Sequence, residues 1–358
     1  MNKKQQKSAL SESQSKPLSG NVSPESAKRI RGFRKNKFSE KDLLKELLNG
    51  NKTALGKGIT LIESNQKTHQ KQAEYLIEGA LPYAHKSIRI GITGVPGVGK
   101  STFIESFGSY LIDQGKRVAV LAVDPSSSVS HGSILGDKTR MEKLVTKPEA
   151  FIRPSPSGDS LGGVARKTRE SILLCEAAGF DVILIETVGV GQSETTVHSM
   201  TDFFLLLKLA GAGDELQGIK RGIVEMADAI VINKADGDNQ KAVRDAKLEF
   251  NRALQLYPPK ESEWKPEVKL CSALYNDGVE DIWKMIKEFK VKVDDNEYFH
   301  HNRLEQNKFW LFQTINDYLK SRFYENPKIK DALKEQLKMI EENKTTAFAA
   351  AKHLLSLA

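Results

Sequence analysis

Residues Gly91–Phe103 read GITGVPGVGKSTF, a stretch almost bare of side chains that ends in a lysine, two hydroxyls and a phenylalanine. Within it, Gly94-Val95-Pro96-Gly97-Val98-Gly99-Lys100-Ser101 fits the pattern G-x-x-x-x-G-K-[ST]. The loop follows an apolar run, SIRIGIT, and opens a run with helical spacing, STFIESFGSYLIDQG. Glycines keep side chains clear, so successive backbone N–H groups can converge on phosphate oxygens, and the helix N-terminus adds partial positive charge. Lys100 can bridge the terminal phosphates, and the Ser101 hydroxyl can ligate Mg²⁺. The bare backbone therefore predicts a polyphosphate ligand.

Outward from this loop, short apolar runs alternate with helical stretches: SIRIGITG, RVAVLAVD, AFIRPS, DVILIET, DFFLLLKLA, ADAIVINKAD and VKLCSAL. Continuous Val/Ile/Leu runs suit strands buried on both faces. The predicted fold is α/β, a P-loop nucleoside-triphosphatase with a mostly parallel sheet flanked by helices. Helical extensions are predicted at both ends. FSEKDLLKELLNG carries a Ser cap and a Gly stop, and KTALGKGITLIESN and THQKQAEYLIEGALPYA continue the pattern. The C-terminal run reads as two or three helices with Pro327 between them. The predicted organisation is a disordered basic tail over 1–38, a helical segment over 39–85, the P-loop domain over 86–292 and a helical segment over 293–358.

The run ADAIVI ends in Asn233-Lys234-Ala235-Asp236. A carboxylate just past a strand end can accept hydrogen bonds from guanine N1–H and N2–H₂, whereas adenine presents a lone pair there. Asn233 can tie this loop to the phosphate loop, and the stem of Lys234 can lie on the base. Ser272-Ala273-Leu274, after VKLC, can offer a backbone N–H to guanine O6. GTP is thus expected over ATP. DVILIE delivers Glu186 at a strand end, and Glu186-Thr187-Val188-Gly189 has D-x-x-G spacing with Glu in place of Asp. Glu186 can hold Mg²⁺ through its water or orient the attacking water, and the Gly189 amide can sense the γ-phosphate as a switch. Gln192 is a further candidate for orienting water, which gives a catalytic set of Lys100, Glu186 and Gln192. Asp124 ends another apolar run and is expected as a Mg²⁺ ligand or its support. Asp137 can be a ligand or a helix N-cap.

The net charge is +8, with 39% hydrophobic and 28% charged residues. Residues 1–40 hold ten Lys or Arg against three Glu, so the rest of the chain is near neutral. The basic excess reads as a solubilising tail rather than a nucleic-acid arm. No apolar run approaches the ~20 residues of a membrane span. Cytoplasm is expected, or an organellar matrix if the tail is a transit peptide. Cys175 and Cys271 each sit in an apolar stretch and read as core thiols. No Cys-x-x-Cys appears, and His300–His301 is an isolated pair.

Five long motifs, together with NKAD, carry a family resemblance. GITGVPGVGKSTF, AVDPSSSVSHGSILGDKTRM, RPSPSGDSLGGVA, ETVGVGQSE and GAGDELQGIKRGI occur in the order of the methylmalonyl-CoA mutase-associated GTPases of MeaB/ArgK type. The chain resembles that family from about Leu43 to the C-terminus. The resemblance implies a GTPase, with GTP and GDP as substrate and product, that forms homodimers through C-terminal helices. It also implies a chaperone that gates cofactor delivery to an adenosylcobalamin-dependent acyl-CoA mutase and protects it. By motif, Gly94 through Thr102 would hold phosphates, and Ser101, Asp124, Asp137 and Glu186 would surround Mg²⁺. Asp236 and Ser272–Leu274 would read guanine. Asp214, Gln217 and Lys220 would form a further switch. His131 and Ala210 depart from the family's usual Gly and Pro. Alternatives are a kinase of an amino-acid-binding transport protein, as the older family label suggests, a nickel-inserting metallochaperone, and a nucleotide-gated binding module.

Overall fold

A computed structural model describes residues 39–123, 141–154, 161–187, 193–211 and 221–357. The tail over 1–38 lies outside them. The seven apolar runs are seven strands: β1 (Ile88–Gly94), β2 (Val118–Val123), β3 (Ala150–Arg153), β4 (Val182–Thr187), β5 (Phe203–Leu209), β6 (Ala229–Asn233) and β7 (Glu267–Leu270). They form one sheet in the order β3-β2-β4-β1-β5-β6-β7, and every pairing is parallel. Ligands of such sheets bind beyond the carboxyl ends of the strands, where the winding direction changes. Here β1 is central, and its carboxyl end runs straight into the glycine-rich loop.

Period-two alternation sends side chains to both faces. Ile88, Ile90 and Ile92 of β1 share one core with Phe103, Phe107, Ile282, Ile286 and Phe289. These come from α4 (Lys100–Asp113) and α10 (Val279–Asp295). Ile183 and Ile185 of β4 face the other way, into a core built with α1 (Glu40–Leu48), α2 (Lys52–Glu63), α3 (Lys67–Ala80) and α6 (Leu161–Ala177). Ile230 and Ile232 join Phe250 of α9 (Gln240–Leu254) in a third cluster. Short helices α5 (Glu142–Thr146), α7 (Ser193–His198) and α8 (Arg221–Met226) precede β3, β5 and β6. Both faces are thus covered over the five inner strands, which is why those read as unbroken apolar runs, while the edge strands β3 and β7 are only partly buried. Cys175 and Cys271 are both buried within these cores.

Side-chain caps open the first two N-terminal helices, with Asn51 accepting from Thr53 N and Ala54 N at the start of α2. The Ser39 hydroxyl accepts from Asp42 N (3.2 Å), and Gly50, at φ +78°, closes the turn after α1. The boundary drawn at 292/293 falls inside α10, whose Phe289 and Val293 both lie in the main core. Three further helices follow: α11 (Tyr298–Glu325), α12 (Pro327–Glu341) and α13 (Ala347–Ser356). On α11, Phe299, Arg303, Gln306 and Trp310 form one buried stripe against the body. Beyond Trp310, Phe312, Ile315, Tyr318 and Leu319 are exposed. Among the described residues no helix is long and apolar enough to cross a membrane.

An ionic cluster at the amino end of the sheet holds α11 to the body. Arg303 donates from Nε to Asp202 Oδ1 (2.8 Å) and from Nη2 to Asp202 Oδ2 (2.7 Å). Arg89 forks onto Glu176, with both contacts at 2.9 Å. Ser87 Oγ donates to Glu176 Oε1 (2.7 Å), and Arg89 N donates to Asp202 Oδ2 (2.8 Å). Burial alone would push the Glu176 carboxyl up, but the Arg89 and Arg303 guanidiniums and the hydrogen bonds of Arg89 and Ser87 hold it at about 2.

Candidate active site

The phosphate loop is shaped by three glycines that no other residue replaces without strain. Gly94 has φ +156°, Gly97 φ +82° and Gly99 φ +91°. A Cβ on Gly94 would meet Leu207 O at 2.7 Å, and one on Gly99 would meet Asn233 Nδ2 at 2.9 Å. Gly99 caps α4, so the helix amide end opens on the loop. Val98 is fully buried and pins the loop to the core, while Val95 and Pro96 are exposed at its rim. Lys100 Nζ lies across the loop, donating to Gly94 O (2.8 Å) and Val95 O (3.3 Å). Ser101 is half-buried and Thr102 exposed on the first turn of α4.

Asn233, at the end of β6, joins the phosphate loop to the loop after β7. Its Nδ2 donates to Val98 O (2.9 Å) and its Oδ1 accepts from Ala273 N (3.2 Å). Lys234 takes a left-handed conformation (φ +58°) and donates to Gly97 O (3.0 Å), so its stem spans the gap between the two loops. The Ser272 hydroxyl donates to Asp236 Oδ1 (2.6 Å) and thereby orients that carboxylate. Ala273 is buried and its amide is taken by Asn233, whereas Leu274 is 68% exposed. Asn233, Lys234, Asp236 and Ser272–Leu274, scattered in sequence, are brought to one corner beside the phosphate loop.

Glu186 sits at the carboxyl end of β4, in register with Ile92 of β1 and Ala122 of β2, and is only 8% exposed. The next residue, Thr187, donates from Oγ1 to Thr93 Oγ1 (2.8 Å), and both side chains are buried. This bond fastens the strand carrying Glu186 to the strand that enters the phosphate loop. Glu186 carboxylate and Ser101 hydroxyl are hard oxygen donors, the kind Mg²⁺ prefers, so the described residues fit that ion. Asp124, Asp137, Gly189, Gln192, Asp214, Gln217 and Lys220 lie outside the described residues.

Three features went unread in the sequence: the Thr93–Thr187 bond, the Arg89–Glu176–Asp202–Arg303 cluster, and a bond from Ser106 of α4 to Asn276. Asn276-Asp277-Gly278 does carry a turn signal, but nothing in the sequence reveals its partner.

The family profile described as methylmalonyl Co-A mutase-associated GTPase MeaB matches residues 55–328. GTPase ArgK of Escherichia coli (strain K12) is 45% identical over 300 residues, covering 84% of this chain and 91% of that relative. The methylmalonic aciduria type A homolog, mitochondrial, of Mus musculus is 43% identical over 297 residues, covering 80% and 72%. Among solved structures, the crystal structure of LAO/AO transport system kinase matches with a TM-score of 0.73 at 37% identity, covering 90% of this chain and 98% of that one. With a profile match over most of its length and a relative 45% identical across 84% of the chain, the chain belongs to the MeaB family of P-loop GTPases and hydrolyses GTP.

Proposed function

We propose that the chain is a Mg²⁺-dependent GTPase that serves as timer and chaperone for an adenosylcobalamin-dependent acyl-CoA mutase, gating cofactor loading and protecting the mutase. The observation that carries this reading is the match to a family described as methylmalonyl-CoA mutase-associated, over residues 55–328. The name of the mouse relative, a methylmalonic aciduria type A homolog, points the same way.

In this reading the amides of Gly94–Thr102 cradle the phosphates, and Lys100 moves from the loop carbonyls onto the terminal phosphate oxygens. Asp236, held by Ser272, accepts from guanine N1–H and N2–H₂, and an amide of Ser272–Leu274 donates to O6. Ser101 and Glu186 would hold Mg²⁺, joined by Asp124 and Asp137; when bound, the ion neutralises charge on the phosphate oxygens. Glu186 also orients water, with Gln192 assisting. Gly189 and the Asp214–Lys220 segment, including Gln217, report nucleotide state to the mutase. The exposed apolar face of α11 beyond Trp310 supports a homodimer through the C-terminal helices. Neither nucleic acid nor membrane is a partner in this account, and the compartment is cytoplasm, or an organellar matrix if the basic tail is a transit peptide.

The test is Glu186→Gln in the full chain. Turnover should collapse while GTP binding persists, and mutase protection should become locked to one nucleotide state. Full protection with normal nucleotide dependence but no turnover would leave a binding module in which hydrolysis is incidental. One solved relative is called a LAO/AO transport system kinase. Labelled phosphate transferred from GTP to an amino-acid-binding protein would favour that activity instead.

A further inference from the structure

The loop after β7 is closed on itself. Ser272 N donates to Asp277 O (3.0 Å), Asp277 N donates to Ser272 O (3.1 Å), and Tyr275 N donates to Ser272 O (3.2 Å). The closure puts Asn276 in the left-handed region (φ +56°), which Asn tolerates better than most residues. Gly278 (φ +74°) follows, where a Cβ would meet Leu270 O at 2.2 Å. The result is a small, tightly specified loop that presents Leu274 and Tyr275 outward, at 68% and 69% exposure.

Two side-chain links, three hydrogen bonds in all, tie this loop to the phosphate-binding element. At the inner end, Ala273 N reaches Val98 O through the Asn233 amide. At the outer end, Ser106 Oγ, on a residue 7% exposed in α4, donates to Asn276 Oδ1 (2.6 Å). Leu274 and Tyr275 lie between the two anchors. A nucleotide has a fixed length from phosphates to base, so a reader of the base must keep a fixed distance from the phosphate cradle. Anchoring both ends of the reader to the element that holds the phosphates sets that distance.

We infer that Asn276 is a positioning residue for base selection, acting with Ser106 as a strut that fixes the Ser272–Leu274 amides relative to the phosphate loop. The inference rests on the reading that Asp236 and Ser272–Leu274 recognise guanine. Displacement of a donor by a fraction of an ångström to an ångström weakens a hydrogen bond steeply. Loss of the strut should therefore cost guanine contacts and spare phosphate contacts.

The experiment is competition binding with the full chain, using GTP against ATP, GTP against xanthosine triphosphate, and tripolyphosphate as a probe without a base. Asn276→Gly keeps the left-handed backbone and removes the acceptor; Asn276→Asp keeps an acceptor; Ser106→Ala removes the donor. The GTP-over-ATP preference should fall about fivefold to tenfold in Asn276→Gly and in Ser106→Ala, the scale of one such bond. It should stay within about twofold of wild type in Asn276→Asp, and tripolyphosphate affinity should not move. The double variant should lose no more than either single, because both remove the same bond. Asp236→Asn serves as reference and should shift preference from guanine to xanthine. An unchanged GTP-over-ATP preference in Asn276→Gly, alongside the xanthine shift in Asp236→Asn, overturns the strut. So do additive losses in the double variant. No change in either Asn276→Gly or Asp236→Asn overturns the base-site reading itself.

Discussion

Replacing Glu176 by Ala removes the carboxylate at the centre of the cluster that joins α11 to the sheet. Its side chain is completely buried, and those of Arg89 and Arg303 are only 7% exposed. Arg303 keeps both bonds to Asp202, but Arg89 loses both guanidinium contacts, and Ser87 Oγ and His85 N lose their acceptor. Stranding a buried charge in this way costs about 3–5 kcal/mol. A second route gives a similar figure. A carboxyl carried from its ordinary 4.5 to about 2 by folding contributes about 3 kcal/mol at neutral pH. Because the folded-state value is the lower one, that contribution is complete above about pH 4.5 and fades as pH falls toward 2. Urea unfolding at pH 7 should show the loss in midpoint at unchanged slope. A series between pH 5 and 2 should show a shallower acid decline in the variant than in wild type. A loss under about 1 kcal/mol at pH 7, or parallel acid declines, would refute the account of the cluster.

Gly278→Ala forces a Cβ to within 2.2 Å of Leu270 O at a positive φ; guanine-nucleotide affinity should fall at least about tenfold with tripolyphosphate binding retained, as competition binding will report. Thr187→Val removes the donor to Thr93 Oγ1 inside the buried strand ends. Thermal unfolding should register about 1–3 kcal/mol of lost stability, and stopped-flow turnover should fall as Glu186 loses its fixed neighbour.

The five inner strands were legible because each is buried on both faces and so writes a continuous apolar run, whereas the edge strands β3 and β7 are only partly buried and their signal is shorter and mixed with charge. The meeting of the glycine-rich loop with Asn233, Lys234 and Asp236 was legible for a different reason. Gly94, Gly97 and Gly99 are demanded by backbone geometry, and Asn233, Lys234 and Asp236 occupy one strand end, so local sequence carries both signals. What stayed hidden is long-range pairing. Ser106 and Asn276 are 170 residues apart, and Arg89 and Glu176 are 87 apart. A serine on a helix or an arginine at a strand start has no local pattern that names its partner. The same holds for Thr187 and Thr93, which read as ordinary strand residues until the register brings them together.

The central claim is that the loop from Gly94 to Thr102 holds the phosphates of GTP, with Lys100 on the terminal ones. Equilibrium titration of the full chain with GTP and Mg²⁺, beside its Lys100→Ala variant, tests it most directly. The account predicts saturable one-to-one binding to wild type and a loss of about a hundredfold or more in the variant, since the charge-assisted contact of Lys100 with the terminal phosphates goes. Equal affinity of the two proteins would contradict it.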